Sequence, residues 1–444
     1  MEEAVDGIGS PVENSIETIA RHMLVDGFPM VIDLEKSQGC RLVDARSGRT
    51  YLDFFMFFAS VPIGFNHPRV SEEDFVRRLG RVAVNKPSNS DFYTTYMADF
   101  VDACDKYAIP EYLPHMFLVS GGALGVENAL KAAFDYKVRK NFAKGAAKET
   151  GTKVIHFRDS FHGRSGYTLS LTNTDPVKTD YFPKFDWPRI TNPAITFPLE
   201  NHMDEVVELE NKAKEEIKEA IRRHGDDIAA LIIEPIQGEG GDNHYRAEFF
   251  SFLREITEEH DIIFICDEVQ TGVGFTGKFW AHEHMGIEPD AIAFGKKLQV
   301  CGVMASKKFD EVESVFKVSS RINSTWGGNL VDMVRATRYL EIIAEENLVE
   351  NAHKLGEYLV ASMKKVAERY PDLVTNMRGR GLMAAFDLPP DKRDAFREQA
   401  QKNGLIIVGC GPRSIRFRPP LNLTTAEADE GIDIIERSIK QVVA

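Results

Sequence analysis

Apolar residues in this chain follow two patterns. Short unbroken runs that end on charge occur at Ile228–Ile233 before Glu234-Pro235, at Ile262–Cys266 before Asp267-Glu268, and at Ala291–Phe294 before Gly295-Lys296-Lys297. Runs this short, with no polar alternation, predict strands buried on both faces of a parallel sheet. Met116–Val119 and Val154–Phe157 read the same way. Elsewhere apolar positions recur every three or four residues. Val126, Leu130, Ala133, Phe134 and Val138 predict a helix over 126–142; Val206, Leu209, Ala213, Ile217 and Ile221 predict one over 203–225. Strands and helices in alternation predict an α/β protein whose strand ends face a common crevice.

Other stretches break the alternation. Val31-Ile32 and Leu42-Val43 alternate with polar residues, and Ser47-Gly48 places a hairpin turn between strands. Tyr51–Ile63 is dense in aromatics and reads mainly as core, and residues before Met23 read as an acidic surface arm. Ser120–Gly125 reads as a glycine-rich turn between a strand and a helix, where free backbone N–H groups and the positive end of the helix dipole suit a phosphate. A long helix begins near Met333.

Composition narrows the class. The 444 residues are 43% hydrophobic, enough for one large domain and one smaller. The net charge of −14 is interspersed and argues against a nucleic-acid partner. No stretch is apolar for long enough to span a bilayer, and the amino terminus lacks a signal peptide's pattern, so a cytoplasmic protein is expected. Cys40, Cys104, Cys266, Cys301 and Cys410 lack paired spacing and predict reduced core thiols, with no metal site.

The crevice expected at the strand ends receives an acid, Asp267, and a lysine, Lys296. That pair suits pyridoxal 5′-phosphate: the lysine amine holds the aldehyde, and the carboxylate keeps the pyridine nitrogen protonated so that the ring accepts electrons. With a strand's two-residue period, Val269 follows Asp267 on the same side and packs under the ring, while Gln270 reaches the ring hydroxyl. Lys297 is expected on the opposite face of the strand.

Asp267-Glu268-Val269-Gln270-Thr271-Gly272, Pro289-Asp290 and Phe294-Gly295-Lys296 resemble the signature of the class III pyridoxal-phosphate aminotransferases. Gly295-Lys296-Lys297-Leu298-Gln299-Val300-Cys301-Gly302 is similar to the lysine 6-aminotransferase subgroup, and the similarity runs through most of the chain. The resemblance implies fold type I, with a mostly parallel sheet in a large domain and a smaller α/β domain. It divides the chain into an arm with part of the small domain (1–65), a cofactor-binding domain (66–332) and a carboxyl-terminal small domain (333–444). It makes Lys296 the catalytic lysine, gives Gly122 and Ala123 the phosphate and stacks Phe161 on the ring. It lines the substrate cavity with Phe58, Ala59 and Ser60. Thr325, with Asn323 beside it, reaches the phosphate of a second subunit, so that a homodimer shares its active sites. Arg164 is implied to grip a distal carboxylate and Arg416 an α-carboxylate, with Glu239 masking Arg416 when a terminal amine is bound. The activity implied is transfer of the ε-amino group of L-lysine to 2-oxoglutarate. Ornithine, 4-aminobutyrate or a related diamine is the alternative donor. An intramolecular amino mutase or a catalytically silent binding protein are more distant alternatives.

Overall fold

The computed structural model describes residues 11–443. Near its amino end, β1 (Arg41–Val43) and β2 (Thr50–Asp53) form the expected antiparallel hairpin. A seven-stranded sheet comes next, built from β3 (His115–Val119), β4 (Lys153–Phe157), β5 (Arg189–Ile190), β6 (Ile228–Ile233), β7 (Ile263–Asp267), β8 (Ala291–Phe294) and β9 (Cys301–Ala305). Their spatial order is β3-β9-β8-β7-β6-β4-β5. From β8 to β5 the neighbours are parallel, and β9 runs against both β3 and β8. Every strand except β9 therefore delivers its carboxyl end to the same edge.

Every residue of β6, β7 and β8 is buried, which is why these segments are apolar without alternation. Their two faces feed different cores. Ala230, Ile232, Ile263, Ile265, Ala291 and Ala293 pack with Val126, Ala129 and Ala133 of the helix Gly122–Ala143. Leu231, Ile233, Phe264 and Ile292 pack with Phe249, Phe250 and Leu253 of the helix Ala247–Glu259. Each fully buried Ile, Leu or Phe contributes about 1.5–3 kcal/mol, so the two faces together hold the sheet rigid beneath its carboxyl edge.

A second, antiparallel sheet contains β10 (Thr375–Arg380), β11 (Met383–Asp387), β13 (Val408–Cys410) and β14 (Ser414–Phe417), in the order β10-β11-β14-β13. Between β11 and β13 in the chain, β12 (Leu405–Ile406) leaves this sheet and pairs in parallel with β2. The amino-terminal hairpin is thereby completed by the carboxyl-terminal part of the chain, and Arg41 adds a two-pronged bond to Glu430 at 2.7 and 2.5 Å. The helix Leu348–Arg369 packs on β10, while Pro390–Lys402 packs on Thr425–Val443.

Most of the aromatic stretch is core, with Phe54 and Met56 fully buried, but its backbone is not what its residues suggest. Met56, Phe57, Phe58 and Ala59 have φ of 40°, 51°, 58° and 60°, a left-handed turn made without glycine. Such residues cost roughly 1–2 kcal/mol each. Asp53 offsets part of this cost by accepting the N–H groups of Phe55 and Met56 at 2.7 and 3.0 Å, and its burial raises the carboxyl pKa to about 6.

Candidate active site

The carboxyl edge of the large sheet gathers the expected residues. At the end of β3, Gly121 adopts φ of 115° and the helix begins at once with Gly122, four residues earlier than periodicity predicts. Glycines read as a turn, but here tertiary packing extends the helix through them. The first-turn N–H groups of Gly122 and Ala123 consequently stand at the positive end of a 22-residue helix. A Cβ on Gly122 would lie 2.7 Å from Val269 Cγ1, so only glycine permits this approach. Val269 is set there by a turn and not by strand pleating, because β7 stops at Asp267 and Val269 N–H donates to Asp267 Oδ1 at 3.1 Å.

Asp267 is buried, and its other oxygen accepts His162 Nδ1–H at 2.7 Å. His162 follows Phe161 in the segment beyond β4, where its motif placed no functional role on it. Glu234, at the end of β6, accepts Phe161 N–H at 2.9 Å and Gly238 N–H at 3.0 Å. Burial raises the Glu234 pKa to about 7, although His162 and the two N–H groups oppose the rise.

Lys296 and Lys297 do not continue β8. They enter a 3-10 turn in which Lys296 has φ of 47°. Lys297 is therefore not on the opposite face of a strand; its buried amine donates to Gln270 O at 2.6 Å. Lys296 is half-buried, and burial of its amine lowers its pKa to about 8 despite the Asp267 carboxylate. Gln270 is oriented from the residue just beyond β14: its Oε1 accepts from Arg418 Nε and Nη2 at 3.0 and 2.8 Å. An arginine only donates, so the Gln270 amide oxygen is committed and its Nε2–H₂ is left as the free donor. Arg418 is fixed in turn by both oxygens of buried Asp242, at 2.8 and 2.5 Å. Neither Arg418 nor Asp242 was legible as a site residue.

Arg416 lies in β14 itself and is buried. Its Nη2 donates to Glu239 Oε2 at 2.7 Å, and its guanidinium lies over the Phe58 ring at 5.1 Å. Its Nε and Nη1 are buried without a hydrogen-bond partner, so the group retains donors for an incoming anion. Glu239 also takes Lys178 Nζ on Oε1 at 2.6 Å, a contact that nothing in the sequence announced. Burial raises the Glu239 pKa, but Arg416 and Lys178 outweigh it and hold the carboxyl below its usual range. A cavity of about 300 Å³ is lined by Phe58, Lys178, Glu239, Arg393, Cys410 and Arg416, among others.

Three expected site residues stand apart. Arg164 is exposed and does not line the Arg416 cavity. Thr325 and Asn323 lie exposed on the loop after β9, where Asn323 Oδ1 accepts Ser324 N–H at 2.7 Å. A larger cleft of about 970 Å³, lined by Arg158, Lys184, Arg189, Glu215 and Arg223 among others, contains none of these residues. Among the described residues no cluster of His, Cys, Asp or Glu is arranged to hold a metal ion, and no helix is long and apolar enough to cross a membrane.

The residues present fit pyridoxal phosphate. An enclosed amine of lowered pKa, a buried carboxylate held by histidine, a free amide donor and a glycine-built helix start are the groups its aldehyde, ring nitrogen, ring hydroxyl and phosphate require. Comparison with known proteins agrees. The model of the class III aminotransferase family matches residues 23–439. The L-lysine-epsilon aminotransferase of Amycolatopsis lactamdurans is 51% identical over 427 residues, 95% of this chain and 95% of its own. The 4-aminobutyrate aminotransferase of Emericella nidulans is 34% identical, over 94% of this chain and 86% of its own. The solved structure of lysine aminotransferase from M. tuberculosis in the internal aldimine form superposes with a TM-score of 0.95 at 49% identity, covering 98% of this chain and 100% of that one.

Proposed function

The chain belongs to the class III aminotransferases, and from that premise we propose that it transfers the ε-amino group of L-lysine to 2-oxoglutarate, forming 2-aminoadipate 6-semialdehyde and L-glutamate. The observation that carries the choice of substrates is the Arg416–Glu239 pair at 2.7 Å. An amine on a terminal CH₂ brings no carboxylate near the reacting carbon, so an arginine there must be neutralised. An α-keto acid brings one, so the same arginine must be released. The greater identity to lysine than to 4-aminobutyrate aminotransferases supports lysine as the donor.

Pyridoxal phosphate, when bound, supplies an aldehyde that takes up the amino group and a ring that spreads the electrons of the broken C–H bond. This chain's own residues would supply the rest. Gly122 and Ala123 would bind the phosphate through backbone N–H, and Thr325 of a second copy would complete that site in a homodimer. Phe161 and Val269 would flank the ring. Asp267, oriented by His162, pairs with the ring nitrogen, and Gln270 Nε2 donates to the ring hydroxyl. Lys296 Nζ takes the proton from the substrate carbon that bears the amine and returns it on the other side of the reaction. Arg164, exposed and outside the Arg416 cavity in the single chain, would hold the distal carboxylate of either substrate. The five unpaired cysteines fit a reducing compartment such as the cytoplasm.

Two outcomes test the roles. Lys296 must be neutral to capture an aldehyde. Because its pKa is lowered from 10.5 to about 8, the rate at which apoprotein takes up pyridoxal phosphate should climb with pH and level off above about 8. A rate still climbing toward the ordinary lysine value would contradict this burial effect. Glu239→Ala should impair the lysine half-reaction more than the glutamate half-reaction, since it leaves Arg416 exposed to a substrate without an α-carboxylate in reach. Equal losses would refute the masking role.

The activity itself is tested by mixing holoenzyme with L-lysine and monitoring the visible band of the bound cofactor, then adding 2-oxoglutarate. Bleaching, return of the band and a cyclic imine detected with an aminobenzaldehyde reagent are expected. A band indifferent to lysine but responsive to ornithine or 4-aminobutyrate would move the donor to a sibling substrate.

A further inference from the structure

Glu239 is bracketed by two cations, one on each oxygen: Arg416 Nη2 on Oε2 at 2.7 Å and Lys178 Nζ on Oε1 at 2.6 Å. We propose that Lys178 is the positioning residue of the substrate switch, retaining Glu239 when Arg416 is surrendered to the α-carboxylate of the keto acid. The inference rests on the masking reading given above and adds to it the place where the displaced carboxylate goes.

The two bonds use different oxygens and come from different parts of the fold. Arg416 is anchored in β14 with its side chain 2% exposed, so it cannot track a moving partner. Lys178 ends the short turn Pro176–Lys178 at the rim of the cavity, with its side chain 22% exposed and a flexible four-carbon stem. It also has local support that does not depend on Glu239: its amine lies 3.5 Å from Thr174 Oγ1 and 5.7 Å from the centre of the Phe161 ring. Rotation of the Glu239 carboxylate can therefore break the bond to Arg416 while the bond to Lys178 persists.

The energetic consequence is one-sided. Glu239 is only 24% exposed, and a carboxylate so enclosed that loses its sole cation pays a large desolvation penalty. With Lys178 present, release costs one of two charge-assisted bonds. Without Lys178, release costs the only one, so the masked state is favoured and the keto acid meets an arginine that resists uncovering. Lysine, which needs Arg416 masked, is indifferent to the loss.

The test is Lys178→Met in the holoenzyme, with each half-reaction measured separately by the cofactor's absorbance. The KM for 2-oxoglutarate should rise about tenfold, the size expected for one charge-assisted hydrogen bond, while the lysine half-reaction stays within about twofold. Lys178→Arg should restore the keto-acid KM. In a Glu239→Ala background, Lys178→Met should add nothing. Equal slowing of both half-reactions, or an unchanged keto-acid KM, would overturn the proposal. So would a further rise in the Glu239→Ala background, which would mean that Lys178 touches the dicarboxylate itself. If Glu239→Ala separates the half-reactions and Lys178→Met does not, only the Lys178 inference falls. If Glu239→Ala fails to separate them, the masking reading fails and this inference falls with it.

Discussion

Replacing Lys296 with alanine is expected to lower turnover at least about 10³-fold, since the variant loses both the amine that anchors the aldehyde and the base that moves the proton. No nearby basic group can substitute. Lys297 is committed to Gln270 O at 2.6 Å and buried away from the cleft residues. Arg416 and Arg418 are donors held by Glu239 and Asp242 and offer no lone pair for a proton. The fold should survive, because Lys296 sits in a turn after β8 and carries none of the sheet's packing. Pyridoxal phosphate should still bind to Lys296→Ala, now reversibly, which gel filtration against retained absorbance measures. Added methylamine should recover part of the proton transfer. Residual turnover above about one hundredth of the parent rate would mean that another group serves as base.

Asp267→Asn is expected to cost about 10²–10³-fold in both half-reactions, the range for removing a preorganised electrostatic partner of the reacting system. Asparagine keeps the shape and can still accept from Val269 N–H, so the turn after β7 is preserved, whereas alanine would lose that bond as well. The charge is what goes, and the buried His162 is left facing an amide where it faced a carboxylate at 2.7 Å. Because the ring nitrogen serves both substrates, the two rates should fall together, unlike the split expected for Glu239→Ala. Each variant's cofactor content and melting temperature separate this loss from misfolding. Retention of a tenth or more of the activity with full cofactor occupancy would remove Asp267 from the role assigned to it.

Asp267 and Lys296 were legible because two rules converge on them. Short apolar runs mark buried parallel strands, and such strands deliver the residues just beyond their carboxyl ends to one edge. Periodicity began the helix after β3 at 126, four residues late, because glycine's low helix propensity is overridden in a helix whose Ala129, Ala132 and Ala133 are buried on the sheet. The strand rule misplaced Lys297, since nothing in the residues after Phe294 says that the chain turns at Gly295. The left-handed turn at Met56–Ala59 was equally hidden. Its residues are poor at positive φ, and tertiary contacts such as the Asp53 cap and the packing of Phe55 on Phe58, with centroids 4.7 Å apart, hold them there.

By itself the sequence determined the α/β class, five of the seven strands of the large sheet and the family, because each depends on local pattern or on a motif at a strand's end. Tertiary structure alone decided what governs those residues. Arg418 reaches Gln270 across 148 positions and Arg416 reaches Glu239 across 177. Both contacts join the end of β14, in the small sheet, to loops beyond the carboxyl edge of the large one. Lys178 joins Glu239 across 61 positions, between the segments that follow β4 and β6 of the large sheet. No periodicity spans such separations: a charge's partner is set by which surfaces the two cores bring together, and that is a property of packing.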